Sequence, residues 1–133
     1  MKTKTIRQQI EFNATPEELY NMLMDEKKHA VFTGASAKIT NRTGGKFTVW
    51  DGYISGKNIE LIKGKKIVQE WTSTDLPAGH ISITTFEFAV QKNNTTLLKF
   101  THANIPAAQY DELVKGWTDF YWQPMKEFLS SIE

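Results

Sequence analysis

The stretch YDELVKGWTDFYWQPMKEF, residues 110–128, has the periodicity of a long amphipathic helix. At about 100° per residue, its large apolar side chains fall within roughly 60° of Trp117. They are Tyr110, Leu113, Val114, Phe120, Tyr121 and Phe128. Charged residues occupy the opposite side, so this helix predicts an apolar surface elsewhere in the chain that covers its stripe.

Two residues of the same stretch predict a departure from a regular helix. Pro124 lacks a backbone N–H and pushes on the carbonyl of Phe120, so we expect a kink or a local wide turn. Trp122 points away from the apolar stripe, and we expect it to cap an edge of the sheet or to be partly exposed.

The segment before this helix, residues 35–103, has the pattern of an antiparallel meander. Its strongest turn signal is Asp51-Gly52, because both residues tolerate the positive φ of a tight hairpin. Five segments rich in β-branched and aromatic residues are predicted strands: 46–50, 53–62, 65–73, 81–91 and 95–102. The fourth changes its apolar phase midway, which predicts a bulge near Thr84-Thr85 or a bend.

Residues 5–34 predict a strand followed by helix. Apolar and polar residues alternate over 5–12, apart from Gln8, which lies on the apolar side. Thr15 and Glu18 have the spacing of a capping box, and Pro16 suits the first helical position. The helical pattern runs to about Phe32, with a break near Asp25, and ends at Gly34.

These elements together predict an α+β fold. A curved antiparallel sheet of about six or seven strands would wrap around the long C-terminal helix, with two short helices after the first strand. The 133 residues suit a single domain, residues 1–133. A curled sheet seldom packs densely along a whole helix, so a cavity there stays open as an alternative to a solid core. Its candidate lining is Trp71, Phe86, Phe88, Trp117 and Tyr121, although aromatic residues at such positions form core more often than a pocket.

Composition excludes several classes of partner. The net charge is +1, and only two of the sixteen basic residues are arginine, so neither nucleic acid nor an anionic membrane is an expected partner. There is no cysteine, which removes disulfides and thiolate metal sites. The basic N-terminus has no apolar segment behind it, so we expect a cytoplasmic protein.

No motif for catalysis or metal binding is present. His29, His80 and His102 lack metal-ligand spacing, and we expect each to be a surface or hydrogen-bonded histidine, with His80 holding the 75–79 loop. Glu70 and Glu87 are expected to face solvent. The sequence therefore predicts no catalytic residues, no metal and no cofactor.

Five motifs in order resemble a known family. They are Gly44-Gly45-Lys46-Phe47, Asp51-Gly52-Tyr53-Ile54-Ser55-Gly56, Ile67-Val68-Gln69-Glu70-Trp71, Pro77-Ala78-Gly79-His80, and the helix from Gly116 to Tyr121. The chain resembles the C-terminal domain of the activators of heat-shock protein 90 ATPase, over nearly its whole length. The resemblance implies a helix-grip, START-like fold and a non-catalytic, co-chaperone-like function.

The same resemblance implies a heat-shock protein 90 type chaperone as partner. The candidate partner-binding residues are those we expect to be exposed near the ends of the sheet: Lys46, Lys65, Lys66, Leu76, His80 and Trp122. Leu76 stands where the family often has tryptophan. The family's separate N-terminal domain, which carries its main chaperone contact, has no counterpart in these 133 residues.

Two other functions remain open from the sequence. One is transport of an apolar small molecule in the cavity between the sheet and the C-terminal helix. The other, which the sequence favours least, is an enzyme of the polyketide-cyclase kind, because that chemistry can rely on cavity shape with few polar groups.

Overall fold

The computed structural model describes residues 1–132. It has seven strands, β1 to β7, which are Thr3–Phe12, Lys38–Ile39, Lys46–Val49, Ile54–Ile62, Lys66–Ser73, Ser82–Val90 and Thr96–Pro106. Helices α1 and α2, Pro16–Met24 and Glu26–Thr33, follow β1, and the chain ends with α3, Tyr110–Trp117, and α4, Gln123–Ser131. The described residues include no helix long and apolar enough to cross a membrane.

The strands form one antiparallel sheet in the order β1-β7-β6-β5-β4-β3-β2. Its inner face is mainly apolar and packs against the helices, so the predicted α+β helix-grip architecture is confirmed. The ends of the predicted strands lie within four residues of the observed ends. Only β2, a pair of residues at the edge of the sheet, was not predicted.

Local signals near the N-terminus act as the sequence predicts. The Thr15 hydroxyl accepts from the Glu18 amide at 3.1 Å, and the Glu18 carboxylate accepts from the Thr15 amide at 3.3 Å. Asp25 is extended, with ψ 119°, so it ends α1, and its carboxylate caps α2. Gly34 ends α2 in the left-handed conformation.

The predicted irregularity in the strand over 81–91 is wrong. Strand β6 pairs with β7 in continuous register from Ile83 to Val90. Its inner face begins with buried Ser82 and Thr84, whereas Ile81 lies exposed. The apolar pattern of residues 81–91 seemed to change face because the first inward-facing residues of β6 are polar. Register shifts lie instead in β4, between Asn58 and Glu60, and in β1, between Lys4 and Ile6.

The predicted wide turn before Pro124 is confirmed. Residues Thr118–Trp122 form a π-turn between α3 and α4. Such a turn holds one extra residue, so every later position is rotated back by about 100°. Phe120, predicted to lie in the stripe, is 56% exposed, and Trp122 is only 3% exposed.

The expected exposure of Trp122 is therefore wrong. Its indole stacks on Trp117, with ring centroids 5.5 Å apart. Its Nε1 donates to Oε1 of Gln8 at 2.7 Å. Gln8, the polar residue on the apolar side of β1, is thus the hydrogen-bond partner that allows this indole to be buried.

Candidate functional site: an aromatic pocket between helix and sheet

A pocket of about 450 Å³ lies between α3, the π-turn and one end of the sheet. The helix side of the pocket repeats at intervals of three and four residues, as one face of a helix does. This side consists of Gln109, Glu112, Leu113, Gly116, Trp117, Phe120 and Tyr121. The sheet side comes from the β3–β4 hairpin and the end of β5: Trp50, Tyr53, Ile54, Trp71, Ser73, Asp75 and Leu76.

Three of the five predicted cavity residues line this pocket: Trp71, Trp117 and Tyr121. Phe86 lies deeper, beside a void of about 20 Å³ that is too small for an organic ligand. Phe88 does not line the pocket, because its ring packs against Tyr20 of α1, with centroids 6.3 Å apart. The sequence missed the contribution of the hairpin, since strand spacing does not show which hairpin meets the helix.

The hairpin brings Trp50 to the pocket in a strained conformation. Trp50 has φ 54° and Asp51 has φ 57°, in the region that large side chains avoid. Asp51 holds this turn, because its carboxylate accepts from the amide of Ser36 at 2.8 Å. The same bond keeps the pKa of Asp51 below its usual value. Strain of this kind persists only where neighbouring contacts fix the backbone.

A buried chain of hydrogen bonds connects the hairpin with α2 through the π-turn. Nδ1 of His29 lies 3.2 Å from the carbonyl of Leu23 and must donate to it. Nε2 of His29 therefore accepts from the hydroxyl of Tyr121, at 3.0 Å. That hydroxyl in turn accepts from Nε1 of Trp50 at 3.3 Å. Burial lowers the pKa of His29 to about 4 and raises the pKa of Tyr121, so both groups stay neutral.

Behind the pocket wall, Ser82, His102 and Trp117 form a second buried chain. The indole N–H of Trp117 can only donate, so Nδ1 of His102 accepts from it, at 3.0 Å. The proton of neutral His102 is then on Nε2, 2.7 Å from the Ser82 hydroxyl, which donates to the carbonyl of Trp71 at 2.9 Å.

This arrangement is the reverse of a nucleophile and its base. In a catalytic serine–histidine pair the imidazole accepts the serine proton, whereas here it donates to the serine oxygen. Burial also lowers the pKa of His102 to about 3. These hydrogen bonds join β6, β7 and α3, and we assign them a structural role. The sequence had singled out His80 among the histidines, because burial of His102 cannot be recognised from spacing.

Two carboxylates lie at the rim of the pocket. The hydroxyl of Tyr53 donates to Asp75. Burial raises the pKa of Tyr53, and the negative charges of Asp75 and Glu112 raise it further. Tyr53 is exposed, as is Phe120, so the pocket opens to solvent along this side.

The predicted partner-binding residues do not form one surface. Leu76 is buried and lines the pocket, so its expected exposure is wrong. His80 holds that loop, as predicted, since its Nε2 lies 2.7 Å from the carbonyl of Asn104. Lys66 pairs with Glu60 at 3.1 Å.

Lys46 and Lys65 are exposed, at the start of β3 and in the β4–β5 turn. Lys46 lies directly opposite Lys57 of β4, and both project from the outer face of the sheet. Among the described residues, neither lysine of this pair has a carboxylate within salt-bridge distance. Within residues 1–132, no three histidine or acidic side chains converge as a metal site would require.

A seven-stranded antiparallel sheet closed over a C-terminal helix, with a pocket between them, defines a helix-grip domain. Residues 13–130 match the family model described as Activator of Hsp90 ATPase homolog 1-like protein. The chain belongs to this family.

Relatives of known name agree with this assignment. The chain is 34% identical, over 116 residues, to the human protein named Activator of 90 kDa heat shock protein ATPase homolog 1. That match covers 87% of this chain and 34% of the relative, so the chain spans about a third of the human protein's length. A relative from Dictyostelium discoideum, named Activator of 90 kDa heat shock protein ATPase homolog, is 31% identical over 86% of this chain and 30% of its own length.

Solved structures have the same fold. PFC0360w from Plasmodium falciparum, described as an HSP90 activator, superposes with a TM-score of 0.89 at 30% identity, over 95% of this chain and 96% of that one. CalU16 from Micromonospora echinospora superposes with a TM-score of 0.75 at 20% identity, over 98% of this chain and 81% of the other. The second likeness is one of fold alone.

Proposed function

We propose that this chain is a non-catalytic domain that binds a heat-shock protein 90 type chaperone. The observation that carries the proposal is the 34% identity, over 87% of the chain, to a protein named as an activator of that chaperone's ATPase. The match covers only 34% of that relative, so stimulation of the ATPase by this chain alone is expected to be weak. The partner would be met in the cytoplasm, the compartment expected from the sequence.

The contact surface we propose is the outer face of β3 and β4, around Lys46 and Lys57. Like charges directly opposite each other on neighbouring strands destabilise a sheet. An acidic partner would remove that repulsion and would also speed association. Lys65 extends the same charge toward the β4–β5 turn.

Charge reversal tests this surface with purified proteins. The variant Lys46→Glu, Lys57→Glu should weaken binding to the chaperone at least tenfold, measured by titration calorimetry at low salt. The matched control is Arg7→Glu, because Arg7 is also exposed on the outer face but lies on β1, at the other edge of the sheet. Equal affinities for the two variants would reject the surface. No binding by the unaltered chain would reject the function.

A second function is favoured by the pocket itself. We infer that the chain also holds a small, largely apolar molecule there, since 450 Å³ lies within the range of ligand sites. Native mass spectrometry of gently purified protein should detect an added mass. A complete absence of added mass, together with no thermal stabilisation by aromatic alcohols at millimolar concentration, would contradict this second function.

A further inference from the structure

The pocket carries charge of one sign only. Among the described residues that line it, the charged ones are Asp75 and Glu112, and none is a lysine, an arginine or a histidine. The salt bridges within residues 1–132 join Lys66 to Glu60 and Lys115 to Asp119, so neither rim carboxylate has a basic side chain within salt-bridge distance. A fatty acid or another anion would be repelled at this rim.

The walls next to these carboxylates are aromatic. Trp50, Tyr53 and Phe120 lie at the open side, and Trp50 and Phe120 pack edge to face, with centroids 5.7 Å apart. Aromatic faces attract organic cations through the negative charge of the ring face, and the attraction is stronger where water is displaced. Carboxylates and aromatic faces thus favour the same ligand charge.

We propose that the pocket binds a small organic cation: an ammonium group attached to an aromatic or aliphatic body. The ammonium lies at the rim between Asp75 and Glu112, and the body lies against Leu113, Trp71 and Trp117. This proposal rests on the second function above, that the pocket holds a small molecule. It adds the charge and the chemical class of that molecule.

Three probes of similar length test two questions separately: whether the pocket binds a small molecule, and whether it prefers a cation. They are 4-phenylbutylamine, the uncharged 4-phenylbutanol and the anionic 4-phenylbutyrate, each titrated by calorimetry into the full chain. We expect the amine to bind at least tenfold more tightly than the alcohol and the acid to bind least tightly. If the alcohol binds as tightly as the amine, the proposal that the pocket binds a small molecule is retained and the proposal of a cation is rejected. If none of the three binds at 10 mM, both fail.

Variants locate the charge recognition. Asp75→Asn and Glu112→Gln keep hydrogen-bonding groups but remove the charge, and each should weaken amine binding three- to tenfold while leaving alcohol binding within twofold. Glu127→Gln is the control, because Glu127 is an exposed residue of α4 that does not line the pocket. Amine binding that is equal in the rim variants and in Glu127→Gln would overturn the proposal.

Discussion

At the scale of single residues, the buried histidines hold the two sides of the fold together. His102 connects β6 to Trp117 of the C-terminal helix, and His29 connects α2 to Tyr121 of the π-turn. Each ring is neutral and has both nitrogens paired, so each is a fixed structural contact. Protonation would place an unpaired charge in the core, which costs several kcal/mol.

This neutrality predicts a loss of stability in acid. The pKa of His29 falls from 6.5 to about 4 on folding, and that of His102 from 6.5 to about 3. Between pH 6.5 and 4 the unfolded chain therefore binds more protons than the folded one, so the free energy of unfolding decreases as the pH falls. The expected slope reaches at most about 1.4 kcal/mol per pH unit for each histidine, near the middle of this range. Urea unfolding at a series of pH values measures it.

The variant His29→Gln separates the two contributions. It should roughly halve the contribution of the buried histidines to the slope between pH 6.5 and 4, because His102 is then the one buried histidine whose pKa is lowered by folding. An unchanged slope in the variant, or a flat profile in the unaltered chain, would show that these histidines do not stay neutral in the fold.

At the scale of elements, the π-turn decides which aromatic residues face the core. It places Trp122, Met125 and Leu129 inward, where a regular helix would have placed Phe120 and Phe128. The single extra residue accounts for all of these changes, because it rotates one half of the helix relative to the other.

Deletion of Asp119 tests this explanation. Asp119 is exposed, and its ion pair with Lys115 contributes little, so removing it should leave a regular helix with Trp117, Tyr121 and Trp122 still inward. The deletion variant should fold and lose less than about 2 kcal/mol of stability in urea.

Deletion of Lys115 is the control for that experiment. Lys115 is also exposed but lies within α3, so its loss rotates Leu113 relative to Trp117. We expect a clearly larger destabilisation. A protein that tolerates both deletions equally, or neither, would refute the extra-residue explanation.

The β4 strand contains a second element-scale constraint, at Gly56. A Cβ atom there would lie 1.9 Å from the carbonyl oxygen of Glu70 and 2.6 Å from the ring of Phe47. Gly56→Ala should therefore cost about 3 kcal/mol or more, because backbone of β5 must move. Gly79→Ala, at φ 78° with open space around it, should cost only about 1–2 kcal/mol. Similar losses for both in thermal or urea unfolding would contradict the close-approach argument.

At the scale of the whole molecule, the two proposed binding surfaces are separate. The pocket lies inside the curved sheet, near Ile54 and Ser73, whereas Lys46 and Lys57 project from the outer face. Lys65 lies beyond the other end of β4. Occupation of one surface should therefore leave the other free.

Gly116→Leu tests that separation. Gly116 lines the pocket, and the nearest atom to an added Cβ is Cδ2 of Phe120 at 3.8 Å, so a leucine there would extend into open space. The variant should lose binding of 4-phenylbutanol while stability stays equal or rises by up to about 1 kcal/mol, since glycine disfavours helix. Chaperone affinity should change less than twofold.

Gly116→Ala is the matched control, with the same gain in helix propensity and little loss of pocket volume. It should retain probe binding. If Gly116→Leu weakened both chaperone binding and probe binding, the proposal that the two surfaces are separate would be contradicted.

Much of the fold was accessible from the pattern of residues, because its signals are local. The capping box at Thr15, the break at Asp25 and the wide turn before Pro124 each depend on neighbours within about five residues. The alternation of the strands fixed which faces are apolar, and the helix stripe required a curved sheet to cover it. Preferences of this kind depend on residues close together in the sequence, so they can be recognised without knowledge of the tertiary contacts.

Tertiary structure alone decided the site. The burial of Trp122 depends on Gln8, far away in the chain. The burial of Ser82 and His102 depends on the hydrogen bonds that join Ser82 to His102 and His102 to Trp117. The pocket needs a hairpin, a loop and a helix to approach from three parts of the sequence. Contacts between distant residues depend on packing geometry, which residue periodicity does not contain.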